Sequence, residues 1–555
     1  MSTELLDRLD EWKSRFGSPD TSPLEQLLAI IATERFPDAE TLIRLHETVL
    51  FLRAYPASRK VARLADAILF SFGKRVAGLQ AAGGDLDAFE APEVSGIAGT
   101  SLAAVFDYEV ARFLAARHAR NVEIAWDRWD EEERLGAGIW RFVPLLEEDW
   151  PVEAHVPYRQ WIAAARRPGL SDLAWLLERV EALSLPPRER AALYDSLQAP
   201  LLWRIGNTKT SRSRLRLAAG LAGGKLYVHR EPLLRRRGVS LAGELNGAPL
   251  PIRRLSRPEA RKILDLILDT SAMRFRELYG FSHPDEAGVF HADLERGVEI
   301  YFCGVPSPWR LPLRAYHAGM FFKNGVPAGY VELLSLFERA EVGFNLYYTF
   351  REGESAWLYA RILRLYRQVL GVTCFSVDPY QIGHQNPEAV DSGAFWFYRK
   401  LGFRPADPEV ARLVEREERR MGRSPGYRSS KATLERLANG YLLYSDAADG
   451  RAWDRFRVRN IGLAVEREIA SRYRGDPHAM RQAAQAKAAG ILGVKGSNDL
   501  ALVLSLIPEL AKWTAEEKAA AVKILRAKEG GPEAHYLRLM QRHARMRAAF
   551  LAIGS

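Results

Sequence analysis

Residues 340–356 read AEVGFNLYYTFREGESA, and this stretch decides how the centre of the chain folds. Side chains alternate across a strand, so Ala340, Val342, Phe344, Leu346, Tyr348 and Phe350 share one face while Glu341, Gly343, Asn345, Tyr347 and Thr349 share the other. A central strand of an α/β sheet is ordinarily apolar on both faces because helices cover both. A polar face that runs straight into a Gly-containing turn and a helix therefore predicts a lined cleft; a solvated edge strand is the other arrangement with this alternation. The turn is Arg351-Glu352-Gly353-Glu354-Ser355-Ala356. A small-residue turn of this kind lets the free N–H groups of a first helical turn approach a phosphate, with the helix dipole adding to the attraction. Gly353 also fits a plain turn, and Ser355 a plain helix cap.

Working outward, AYHAGMFFKNGVPAGYVELLSLF (315–337) places Asn324-Gly325 between two β-rich runs, the strongest local hairpin signal because both residues tolerate positive φ. Before it, PLPIRRL (249–255) and EIYFCGV (299–305) read as strands around a helical segment, RPEARKILDLILDTSAMRFRELYGF (257–281). After it come a helix ending at Gly371 (355–371), a strand, VTCFSVD (372–378), and a helix ending at Gly402 (392–402).

That last helix belongs to DSGAFWFYRKLGF (391–403), which resembles the GNAT acyl-CoA N-acyltransferase signature N-x-x-A-x-x-x-Y-x-x-x-G-F. Ala394, Tyr398, Gly402 and Phe403 match, and Asp391 stands where the family has Asn. The preceding order of hairpin, strand, turn, helix and strand is also similar to that family, over about residues 250–405. The family's turn is Gln/Arg-x-x-Gly-x-Gly/Ala; here Phe350 takes the first position, Gly353 the first glycine and Ser355 the second small residue, with Arg351 displaced by one. The insert PYQIGHQNPE (379–388) separates the last strand from the tyrosine helix.

The resemblance implies acetyl-CoA or another acyl-CoA as a substrate, and direct attack on its thioester by an amine whose identity the sequence does not give. It places the pyrophosphate on Gly353, Glu354, Ser355 and Ala356, with charge from Arg351 and with Asp391 at the head of the second motif. Tyr398 matches the tyrosine that protonates the departing thiolate. A base is sought on the polar face, with Glu341 first and Glu332 second. Two alternatives stay open. A GNAT-like fold without catalysis would hold the flanking helices together, as the altered turn and Asp391 suggest. A nucleic-acid binder would use Arg204, Lys209, Arg212, Arg214 and Arg216 in WRIGNTKTSRSRLR (203–216) together with Arg235, Arg236 and Arg237. Nucleic acid is the less favoured partner, because few aromatics and no recognised motif accompany these cations.

The rest of the 555 residues reads as helix. Residues 1–245 carry apolar positions at three- and four-residue spacing, as in ETLIRLHETVLFLRAY (40–55), with a linker expected near 81–101. Residues 409–555 return to helices, VARLVEREERRMGR (410–423) among them. The expected architecture is an α-rich, α+β multidomain chain: a helical region over 1–245, a mixed-sheet domain with helices on both faces over 249–408, and a helical region over 409–555. The net charge of +10 is a mild bias over this length. Cys303 and Cys374 exclude a disulfide framework and a cysteine-based zinc site. His283, His291, His317 and His384 lack metal-ligand spacing, so no metal is expected. Without an apolar run of about 18 residues or a signal peptide, no membrane association and a cytoplasmic location are expected.

Overall fold

A computed structural model describes residues 2–13, 15–17, 20–144, 146, 156–218, 221, 225–275, 278–446, 450–494 and 499–555. It mixes helices with two sheets. The smaller sheet contains β1 (Ser101–Val105), β2 (Val122–Ile124) and β3 (Pro200–Arg204), antiparallel in the order β1-β3-β2. The larger begins with β4 (Ile252–Arg254), β5 (Phe290–Asp293) and β6 (Val298–Gly304). It continues through β7 (Ala315–Lys323), β8 (Val326–Leu336), β9 (Arg339–Leu346) and β10 (Cys374–Val377). The final two are β11 (Arg404–Pro405) and β12 (Leu442–Ser445). Its order is β11-β12-β10-β9-β8-β7-β6-β5-β4. Every neighbouring pair is antiparallel except β9 and β10, which are parallel.

The β7–β8 hairpin turns at Asn324 (φ +48°) and Gly325 (φ +77°), the two positive angles that a tight two-residue hairpin requires. Asn324 is fixed further by its amide, which donates to Ala54 O and Tyr227 O at 2.7 and 3.0 Å. Alternation then assigns each face of the sheet a core. Ile300, Phe302, Val331 and Val342 pack with Tyr359 and Tyr366 of the Ser355–Leu370 helix. Tyr301, Cys303, Ala318 and Met320 pack with Ile263 and Ile267 of the Arg257–Ala272 helix. Helices thus cover both faces, which explains why β7 is buried at every position. The second helix starts with a capping box in which the Glu259 carboxylate accepts from Ser256 N–H at 2.8 Å.

The flanking regions depart from a purely helical reading. Residues 101–204 include the small sheet, with its own core around Leu102, Leu114, Leu176 and Trp203. The glycine-rich stretch expected as a linker is embedded at its C-terminal end. Ser95, Ile97 and Ala98 are buried, and Gly99 N–H donates to Gly206 O at 2.7 Å. From beyond residue 408 the chain returns to insert β12 between β10 and β11. The C-terminal helices lock onto the sheet through a buried pair, Lys528 Nζ to Glu533 Oε1 at 2.8 Å; the Glu533 carboxylate also accepts from Tyr316 N–H at 3.1 Å. Among the described residues no helix is long and apolar enough to cross a membrane.

Candidate functional site

Strand β9 begins as the alternation predicts. Ala340 and Val342 are buried at 0% and 1% exposure, while Glu341, Gly343 and Asn345 are half-buried on the other face. It ends at Leu346, earlier than the sequence suggests: Tyr348–Phe350 forms a 3-10 turn that exposes Tyr348 and buries Thr349 and Phe350. The Thr349 hydroxyl donates to the Glu47 carboxylate and accepts from Arg212 Nη2 at 3.1 Å, so the N-terminal helices draw the chain off the sheet.

Strands β9 and β10 run together only briefly. Arg339, Ala340 and Glu341 pair with Cys374, Phe375 and Ser376, and the ladder then stops. Past that point the Phe344 N–H donates instead to the side-chain carbonyl of Gln381, at 3.3 Å. Gln381 comes from the insert, in the short Pro379–Ile382 helix. A main-chain amide is thereby held at a parting between two parallel strands by one weak, exchangeable acceptor.

Two carboxylates stand on the polar face beside it. Glu341 pairs with Arg314 at 3.3 Å. Glu332, opposite Gly343 in the β8–β9 register, accepts from the Tyr316 hydroxyl. Burial raises the Glu332 carboxyl above its ordinary range, with the Tyr316 bond opposing. Tyr398 lies on the other side of the sheet. Its ring meets Tyr359 at 5.5 Å, and Tyr359 meets Phe344 at 5.1 Å. Burial raises the Tyr398 phenol, which stays protonated at neutral pH.

The 351–356 turn is more enclosed than its composition suggests. A Cβ on Gly353 would lie 2.5 Å from Tyr55 Oη, so glycine is needed for close approach of the N-terminal helices. Glu354 is 1% exposed. Its carboxylate accepts from Leu234 N–H at 3.1 Å, from Arg296 Nε at 3.1 Å, and lies 3.6 Å from Lys323 Nζ. The Glu354 side chain is thus an internal anion. Lys323 is pushed down to about 7 by burial, which Glu354 partly offsets. Arg351 pairs with Glu388, and Ser355 and Ala356 open the helix. Asp391 is an exposed residue 3.2 Å from Lys431, outside the enclosed part of the turn.

Much of the basic cluster serves the fold. Arg212 is 5% exposed and pairs with Glu47 at 2.6 Å; Arg216 pairs with Asp66, and Arg204 with Glu123. The Leu233–Gly238 cations differ. Arg236 and Arg237, with Arg428, press on the exposed Lys400, and Leu234, two residues before Arg236, donates its N–H to Glu354 of the turn.

The polar face of β9 opens into a cavity of about 930 Å³. Glu341 lines it, as do residues that the motif reading missed: Arg314, Arg339, Asp378, Arg457 and Arg459. Arg339 is two residues from Glu341 and could have been found from the same alternation. Arg457 and Arg459 arrive from the start of a helix more than a hundred residues away, and nothing local announces them. Among the described residues no three His, Cys, Asp or Glu side chains converge as a metal site. Comparison with protein-family models, curated proteins and solved structures gave no match.

Proposed function

We propose that the 249–408 domain is a GNAT-type acyltransferase that moves an acyl group, acetyl in the simplest case, from CoA to an amine. The reading rests on one observation above the others, the parting of parallel strands β9 and β10 around the Phe344 amide. A thioester carbonyl would offer that N–H a stronger acceptor than a 3.3 Å side-chain contact, and Gln381 would swing away to admit it. The acyl-CoA supplies the activated carbonyl. Glu341, or Glu332 through water, takes a proton from the amine as nitrogen bonds to that carbon. Tyr398 gives its phenolic proton to the sulfur as the C–S bond breaks, leaving an amide and free CoA thiol.

The inner side of the 351–356 turn is filled by Tyr55 and Glu354. Phosphates would therefore rest on its outer side, at Ser355 and Arg351, with Lys400, Arg236, Arg237 and Arg428, a group of cations close to one another, as the further source of positive charge. The same filling favours a second reading, a non-catalytic domain that clamps the flanking regions. Acetyl transfer to a panel of amines, with Tyr398→Phe as the comparison, separates the two. Turnover that falls in this variant supports the enzyme, whereas absence of acetyl-CoA binding and turnover supports the clamp.

A further inference from the structure

The cavity on the polar face of β9 is lined by four arginines, Arg314, Arg339, Arg457 and Arg459, against two carboxylates, Glu341 and Asp378. Only Arg314 has a carboxylate partner among the described residues, Glu341 at 3.3 Å. Arg339 is the informative one. It is 6% exposed, and its described hydrogen bonds go to neutral oxygens, Ser376 Oγ at 3.0 Å and Phe456 O at 3.3 Å. Its guanidinium lies over the rings of Tyr441 and Trp453, at 5.1 and 5.8 Å. Glu341, on the same face two residues away, acts on this guanidinium through its charge but makes no direct ion pair with it and is already bonded to Arg314. A buried guanidinium without its own ion-paired carboxylate is costly unless another anion reaches it. Arg457 likewise donates to backbone oxygens, those of Asp454 and Phe456, at 3.0 and 2.8 Å. It is also the N-cap of the Val458–Arg472 helix and supplies no side-chain acceptor, so the first turn that lines the cavity is uncapped there.

We infer that this cavity receives a small primary amine that also bears a carboxylate or phosphate, with the anion held by Arg339, Arg457 and Arg459 and the amine offered to Glu341. The inference rests on the acyltransferase reading for the role of Glu341, and it names the acceptor class that the reading leaves open. The arrangement orients its ligand. Both signs of charge meet around Tyr441: the Arg339 and Arg457 guanidiniums lie 5.1 and 4.7 Å from its ring, and Glu341 and Asp378 act on its hydroxyl, so a ligand with an anionic and an ammonium group finds a partner for each. An amine without an anionic group would pair with the carboxylates and leave Arg339, Arg457 and Arg459 without a counter-ion.

Calorimetric titration of the full chain, without any acyl-CoA, tests the pocket by itself. The probes are 4-aminobutyrate against butylamine, and O-phosphoethanolamine against ethylamine. The member of at least one pair that bears the carboxylate or phosphate should bind about tenfold or more tightly than the partner that lacks it. Which pair discriminates tells carboxylate from phosphate. Added salt should weaken the preference, Arg459→Gln should remove most of it, and Arg214→Gln, which does not line the cavity and is bonded to Asn207 instead, should leave it intact. Arg459 is exposed and has no ion pair among the described residues, so its replacement does not threaten the fold. Equal or absent binding of both members in both pairs overturns the inference, as does a preference that survives Arg459→Gln. Acetyl transfer is then measured separately. Transfer to all four amines alike would keep the acyltransferase reading and overturn this inference, and discriminating binding with no transfer would do the reverse.

Discussion

Replacing Glu354 by Gln removes the anion from a cluster that carries two cations into the interior. Lys323 Nζ and Arg296 Nη2 lie 3.6 and 2.5 Å from its carboxylate, and the three side chains are 2%, 17% and 1% exposed. Removing one partner of a buried pair costs about 3–5 kcal/mol, because the remaining charges keep their desolvation penalty. The partial exposure of Arg296 moves the expectation to the lower end of that range. Lys323 makes the loss depend on pH. Its ammonium pKa is already pushed down to about 7 from 10.5. Between those values the unfolded wild-type chain holds a proton that the folded chain has released, so this group's contribution to stability rises with pH across that window and is flat below it. Without Glu354 the pKa falls further, so folded wild type holds this proton near pH 6 more fully than the variant does. The deficit of Glu354→Gln should therefore be larger at pH 6 than at pH 8. Urea unfolding followed by tryptophan fluorescence reads it directly, since Trp357 lies 5.9 Å from the Arg296 guanidinium. Adding Lys323→Met should recover part of the loss. A deficit below about 1 kcal/mol at pH 6, or one that does not shrink at pH 8, would refute the reasoning.

Tyr398→Phe should leave thermal stability nearly unchanged in its aromatic surroundings and lower kcat by about 10²–10⁴, the usual worth of a positioned general acid, in steady-state acetyl transfer. Lys528→Met should lower stability by about 3–5 kcal/mol by stranding Glu533 against β7, and Glu533→Gln in the same chain should restore part of it in denaturant titrations. Gly353→Ala should cost about 1–3 kcal/mol in the same measurement, because the new methyl meets Tyr55 Oη at 2.5 Å and Phe350 O at 3.0 Å.

What the sequence revealed was local. The Asn324-Gly325 turn, the alternation of Ala340–Phe344, the Ser256/Glu259 cap and the stop at Gly371 (φ +71°) each depend on a few adjacent residues and the angles they allow. What it concealed was set by distant partners. Strand β9 ends at Leu346 because Glu47 and Arg212 capture Thr349. The 351–356 turn is filled because Tyr55 and Arg296 come to it from elsewhere, which no turn composition reports. Leu442–Ser445 looks no different from any short apolar run, and its place beside β10 is fixed only by the ladder it completes. The cavity shows the same division. Glu341 is evident from its own strand, whereas Arg457 and Arg459 become relevant only when the chain folds back.

The most direct test of the central claim is calorimetric titration of the full chain with acetyl-CoA, with Lys400→Glu alongside. Lys400 is exposed among Arg236, Arg237 and Arg428, so reversing its charge weakens the outer phosphate position without entering the core. Saturable one-to-one binding by wild type, weakened about tenfold or more in the variant, is the predicted result. No saturable heat at millimolar acetyl-CoA, or equal binding by both proteins, would contradict the account.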